Sequence, residues 1–288
     1  MDFKLNVMKE IFEFRVNYDF AAILFRDDEG VNLGNSVKVV KLQRDDPRFS
    51  KIPLVAKEVK RKYGRGFYFG WNIERKYSKK ELMAAKLFQV KIKSTFEPAG
   101  EECGTEYDES TACKICGANR TQKSPLRLQK SSIPKKDVAR TIAGEVVVSD
   151  KFKRVFENKN LKGIQFDRVY SKNEPINFFQ PISVAPELTI AENTIVGVDP
   201  FDLSERCGDE IYKCPAGHTI GLNLLSEIYV EDIPQIMDFD FFVTEQKVGV
   251  KRGLLRPEPL YLCSQEFRKM VLAKALKGFE FEVAHIVG

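Results

Sequence analysis

Along the first hundred positions, apolar and polar residues alternate in short blocks. Phe12, Phe14 and Val16 are separated by Glu13 and Arg15, the two-residue period of a strand with one buried face. Residues 36–42 repeat that signal. Gly64, Gly66 and Gly70 then stand among Phe67, Tyr68, Phe69 and Trp71, which predicts a turn opening into a strand whose backbone runs close to a neighbour. Ser78 followed three residues later by Glu81 is a capping box. It predicts a helix with Leu82, Ala85, Leu87 and Phe88 on its apolar face.

Beyond this region the pattern repeats itself. An offset of 115 residues lays Ser149–Tyr170 on Ser264–His285, with 7 of 22 positions identical: Ser149/Ser264, Phe152/Phe267, Lys159/Lys274, Leu161/Leu276, Lys162/Lys277, Gly163/Gly278 and Phe166/Phe281. Each copy reads as an apolar strand, a serine N-cap, a helix with apolar residues at i, i+3 and i+4, a glycine in the left-handed stop, and a second strand. Two copies of one β-α-β element, one in each of two related modules, are therefore expected.

A cysteine-bearing element precedes each copy. The first holds Cys103-Gly104 and then Cys113-Lys114-Ile115-Cys116-Gly117; the second holds Cys207-Gly208 and then Cys214-Pro215-Ala216-Gly217-His218. Two thiolates on one tight turn suit zinc, because they must converge on a single ion at about 2.3 Å each. The glycine after the second cysteine lets backbone amides face the sulfurs. The spacing offers Cys103, Cys113 and Cys116 as one structural zinc site, with Asp108, Glu101, Glu102 or a residue brought in by folding as a fourth ligand, and Cys207, Cys214 and His218 as a second. A single ion shared between the two elements is the third arrangement that the spacing allows. Cys263 and His285 fall on strand positions of the repeat and read as core.

With 43% hydrophobic and 30% charged residues in 288, the chain has the balance of a folded protein. No stretch of 18 apolar residues occurs and the first residues do not read as a signal peptide, so a cytoplasmic location is expected. Charge is distributed unevenly. Residues 57–86 carry ten Lys and Arg against three acids, and residues 110–136 carry seven and none. Residues 181–246 hold thirteen Asp and Glu against Arg206 and Lys213. One basic and one acidic surface follow.

Chemistry beyond metal binding finds little support. There is no His-Glu-x-x-His, no Gly-x-Ser-x-Gly and no phosphate-binding Gly-x-x-x-x-Gly-Lys motif. Thiolate-rich zinc is mostly structural, which favours a binding protein over an enzyme. Nucleic-acid binding is the alternative: Lys60, Arg61, Lys62, Arg65, Arg75 and Lys76 flank aromatic residues on which bases stack, and the basic run after Cys116 adjoins the first knuckle.

Residues 107–117, with 137–141, 144–149 and the Arg256-Pro257-Glu258-Pro259 lead into 260–264, resemble uncharacterised bacterial Cys-x-x-Cys-Gly proteins. They are similar to the double Cys-x-x-Cys-Gly family and related immunity proteins, over roughly residues 103–287. That resemblance implies a protein that binds and neutralises a cognate toxin. The second element departs from the double motif, reading Cys-x-x-x-His. The expectation is thus an α+β protein with a mixed domain over 1–100, a zinc-knuckle and β-α-β module over 101–172, a linker over 173–204 and a divergent second module over 205–288.

Overall fold

The computed structural model describes residues 8–201 and 212–288. The chain is α+β, dominated by strands, and divides into two units.

The first unit comprises the chain up to Ala84 together with the segment that begins at Asp199. Its strands are β1 (Lys9–Asn17), β2 (Val31–Leu33), β3 (Val37–Gln43) and β4 (Tyr68–Lys76), in the order β2-β3-β1-β4. Its helices are α1 (Tyr18–Ala21), α2 (Ile52–Tyr63) and α3 (Lys79–Ala84). The alternation read in β1 is the pleat itself: Phe12, Phe14 and Val16 are fully buried, with Val40 and Leu42 of β3 and Ile73 of β4. Helix α2 adds Ile52 and Val59 to the buried set and stops at Gly64 in the left-handed conformation. Phe201 completes this core from far along the chain, its ring 5.8 Å from Phe14 and 4.9 Å from Phe49.

The capping box forms: Glu81 N donates to Ser78 Oγ at 3.2 Å and Ser78 N donates to Glu81 Oε2 at 2.7 Å. The helix behind it is shorter than the apolar pattern suggests. Leu87 and Phe88, read as its buried face, instead begin β5 (Leu87–Ile92), a strand of the second unit. Leu87, Phe88, Gln89 and Val90 are all buried. A strand covered on both sides loses the two-residue alternation and imitates one face of a helix.

The second unit continues with β6 (Thr95–Phe96), β7 (Tyr107–Asp108), β8 (Thr121–Gln122), β9 (Val138–Thr141), β10 (Val146–Ser149), α4 (Asp150–Asn158), β11 (Ile164–Ser171) and β12 (Glu174–Ser183). After these come β13 (Val196–Gly197), β14 (Thr219–Gly221), β15 (Asn223–Leu224), β16 (Ile228–Glu231), β17 (Phe241–Val248), β18 (Glu258–Ser264), α5 (Gln265–Ala273) and β19 (Phe279–Val287). One sheet runs β11-β12-β10-β9-β6, the other β14-β17-β18-β5-β19-β16. In each, the strands before and after the helix are held apart by a third strand antiparallel to both: β12 between β10 and β11, β5 between β18 and β19.

Positions matched by the 115-residue offset play the same local part. Ser149 and Ser264 are N-caps, accepting from the backbone N–H of Phe152 and Phe267 at 3.1 Å each. The left-handed residues that close the helices are Asn160 and Ala275, not the glycines. Gly163 and Gly278, at φ 110° and 103°, permit close packing instead. A Cβ on Gly163 would stand 2.3 Å from the Phe241 carbonyl oxygen, and one on Gly278 would stand 2.5 Å from that of Val138. Beside each glycine sits an aspartate. Asp137 accepts from Ser149 Oγ at 2.8 Å and from the Lys277 N–H at 2.7 Å. Asp240 accepts from Ser264 Oγ at 2.6 Å and from the Lys162 N–H at 2.9 Å. Each carboxylate therefore ties the helix cap of one sheet to the glycine turn that follows the other helix.

Candidate metal centre

Two tight turns bring sulfur and imidazole together. In the first, the Cys113 N–H donates to the Ala118 carbonyl and the Gly117 N–H to that of Cys113, both at 2.8 Å, with Gly117 at φ 70°. The ribbon β7-β8 closes the base of this loop, pairing Tyr107 with Gln122. In the second, the Cys214 N–H donates to the Thr219 carbonyl at 2.8 Å and the Gly217 N–H to that of Cys214 at 2.9 Å. Thr219 opens β14, and the Lys247 N–H reaches the His218 carbonyl at 2.8 Å, fastening this turn to β17.

The ligand atoms of Cys113, Cys116, Cys214 and His218 all lie within 4.8 Å of one another. Cys113 Sγ is 3.8 Å from Cys214 Sγ; His218 Nδ1 is 3.8 Å from Cys214 Sγ and 3.9 Å from Cys116 Sγ. Donors about 2.3 Å from a tetrahedral ion stand about 3.8 Å apart, so these three separations are consistent with a zinc site and far longer than the roughly 2 Å of a disulfide. The donor set of three thiols and one imidazole is equally suited to zinc. Cys116 and Cys214 are buried, with Ala118 packed beside them.

The thiols are tuned in opposite directions. Backbone N–H groups of Cys116 and Ile115 point at the Cys113 sulfur and, with the His218 ring, hold its thiol down to about 6. Burial pushes Cys214 up, and the neighbouring Cys116 and Cys113 sulfurs add to the effect. A divalent cation among them removes that conflict, because all three bind as thiolates.

The four donors come from both expected sites and converge on one. Cys103 is not among them. It ends the short turn Glu101–Cys103, and burial raises its thiol. Glu101 and Asp108, considered as fourth ligands, are engaged with Arg120 and Lys123, and Glu102 accepts from the Ala99 N–H. Cys207 lies outside the described residues. Cys263 is fully buried in β18, where burial raises its thiol far up, and His285 bonds Glu227 at 3.0 Å. The arrangement shared between elements was readable as one possibility among three. Spacing alone could not select it, because the choice depends on how two sheets assemble.

The residues expected to bind nucleic acid lie on the end of α2, in the turn after it and on β4. Lys60, Arg61 and Lys62 form the exposed last turn of α2, where cations answer the helix dipole and its free carbonyls. Arg65 pairs with Asp19 at 2.8 Å, Arg75 with Glu10 at 3.0 Å and Lys76 with Glu74 at 3.6 Å. Of the flanking aromatics, Phe67 is buried and Phe69 exposed. Among the described residues no helix is long and apolar enough to cross a membrane. Neither a family model nor a curated protein matches this sequence.

Proposed function

We propose that this chain holds one structural zinc ion through Cys113, Cys116, Cys214 and His218, and acts as a non-enzymatic binding protein. Its partner on this reading is a basic protein, as in an immunity protein that neutralises a toxin. The observation that carries the metal reading is the clustering of three sulfurs and one imidazole nitrogen within 4.8 Å of one another, drawn from segments 101 residues apart. Zinc here joins two turns that are otherwise tied through separate strands, which is structural work.

Support for a basic partner comes from the acidic stretch. Glu187, Glu192, Glu231, Asp232, Asp238 and Glu245 are exposed, and none forms an ion pair among the described residues. The segment bearing Glu187 and Glu192 bridges Ile190 to Val230 of β16, which gathers these acids near Glu231 and Asp232. Met237 at 74% and Ile195 at 60% exposure add apolar surface in the same stretch. Unneutralised carboxylates speed encounter with a cationic surface and reject an anionic one.

The test is affinity capture from the native host with wild-type protein and with a Glu231→Lys, Asp232→Lys variant. A basic protein should be retained by the first and lost by the second at unchanged zinc content. Equal capture by both, or none by the wild type, contradicts it.

A further inference from the structure

The metal centre gathers three stretches of chain with the same peculiarity. Residues 113–123, 213–221 and 247–256 together contain eight Lys and Arg and no Asp or Glu. They are distant in sequence and meet at the knuckles. The Lys247 N–H bonds the His218 carbonyl, and a Cβ on Gly117 would stand 2.8 Å from Lys251 Cδ and 3.2 Å from Arg256 Cδ.

Part of this charge has a structural use. Glu109 lies between Arg120 and Arg256 at 3.3 Å and 2.9 Å, and Asp108 pairs with Lys123 at 3.0 Å. Lys114, Lys213, Lys247 and Lys251 have no carboxylate partner among the described residues, and three of the four are exposed. Three thiolates and one divalent ion sum to a single negative charge, so the centre itself offsets no more than one of them.

We infer that this lysine rim is a binding surface for the phosphate backbone of nucleic acid, assembled by the metal. It rests on the zinc reading above but is independent of the acidic surface. The choice of phosphate over an acidic protein follows from what the rim lacks. None of the three stretches contains Phe, Tyr or Trp, whereas protein interfaces concentrate aromatic anchors and are depleted in lysine. Without rings to stack on bases, the contact is to phosphates alone. Binding is then sequence-independent, tighter for duplex than for single strands because duplex charge is denser, and steeply dependent on salt.

The experiment measures binding of a fluorescein-labelled duplex across a salt series, with zinc content determined on the same samples. Zinc-loaded wild type should bind with a log–log salt slope approaching about −3.6 for four lysines, at about −0.9 per phosphate neutralised. Lys114→Glu with Lys251→Glu should retain zinc, lose at least tenfold in affinity and flatten the slope by about two. Lys60→Glu with Arg61→Glu, on α2, should bind as wild type. Weak, salt-insensitive binding by zinc-loaded protein overturns the inference, as does a loss confined to the α2 variant or equal binding of polyglutamate. Zinc-free wild type that still binds duplex through Lys114 and Lys251 would support the phosphate surface while refuting its dependence on metal.

Discussion

The two units solve the same problem in different ways. In the first, β1 lies between β3 and β4, and all three strands come from one run of chain, residues 9–76; among the described residues Phe201 joins their core from far along the chain. In the second, the strand between β18 and β19 begins at residue 87, the aspartate that steadies one helix cap also holds the turn behind the other helix, and the four candidate metal ligands come two from each cysteine-bearing turn. The sheet of the first unit is closed by strands of that single run. The second depends on contacts that only complete assembly supplies, so its stability should be sensitive to single atoms at the junctions.

Metal removal should separate the units most strongly. Structural zinc contributes roughly ten kcal/mol or more in small zinc domains, and part of that would be lost here. Chelation, or Cys116→Ser, should strip amide protection from β9, β10, β17 and β18 while β1, β3 and β4 keep theirs, as read by hydrogen exchange. Equal loss in both units, or in neither, would remove the contrast.

The junction glycines come next. Gly163→Ala and Gly278→Ala force a methyl against a carbonyl oxygen at positive φ and should each cost about 2–3 kcal/mol in denaturant unfolding of the second unit. Gly34→Ala, at φ 62° with open space around it, should cost no more than about 1–2 kcal/mol.

The junction carboxylates follow at a smaller scale. Asp137→Ala and Asp240→Ala each release a serine hydroxyl and a backbone N–H, an expected loss of about 1–3 kcal/mol. Matching losses for the two would show that the caps and turns of both sheets are held alike; a loss at one position only would show that they are not. Smallest of all should be Arg65→Ala, which breaks an ion pair with Asp19 whose side chains are 55% and 53% exposed and should change stability by less than about 1 kcal/mol.

This contrast also decides how much could be read beforehand. The β1 alternation, the Ser78 cap and the matched serines at 149 and 264 are signals within a few residues of their cause, and each has its place in the structure. Leu87 and Phe88 misled because a strand buried on both faces carries no period of two. The two cysteine-bearing turns were visible as motifs, and their sharing of one ion as one of three arrangements, which spacing alone did not single out. Cys103 looked like the natural third ligand of the first turn because it is near in sequence, while Cys214 and His218 are near only after folding.

The most direct test is the metal itself. Elemental analysis with X-ray absorption on purified protein should give one zinc per chain bound by three sulfurs and one nitrogen, and that stoichiometry should fall to zero in both Cys113→Ser and Cys214→Ser. Two zinc ions per chain, none at all, or full zinc retained in Cys214→Ser would contradict a single centre shared by the two knuckles.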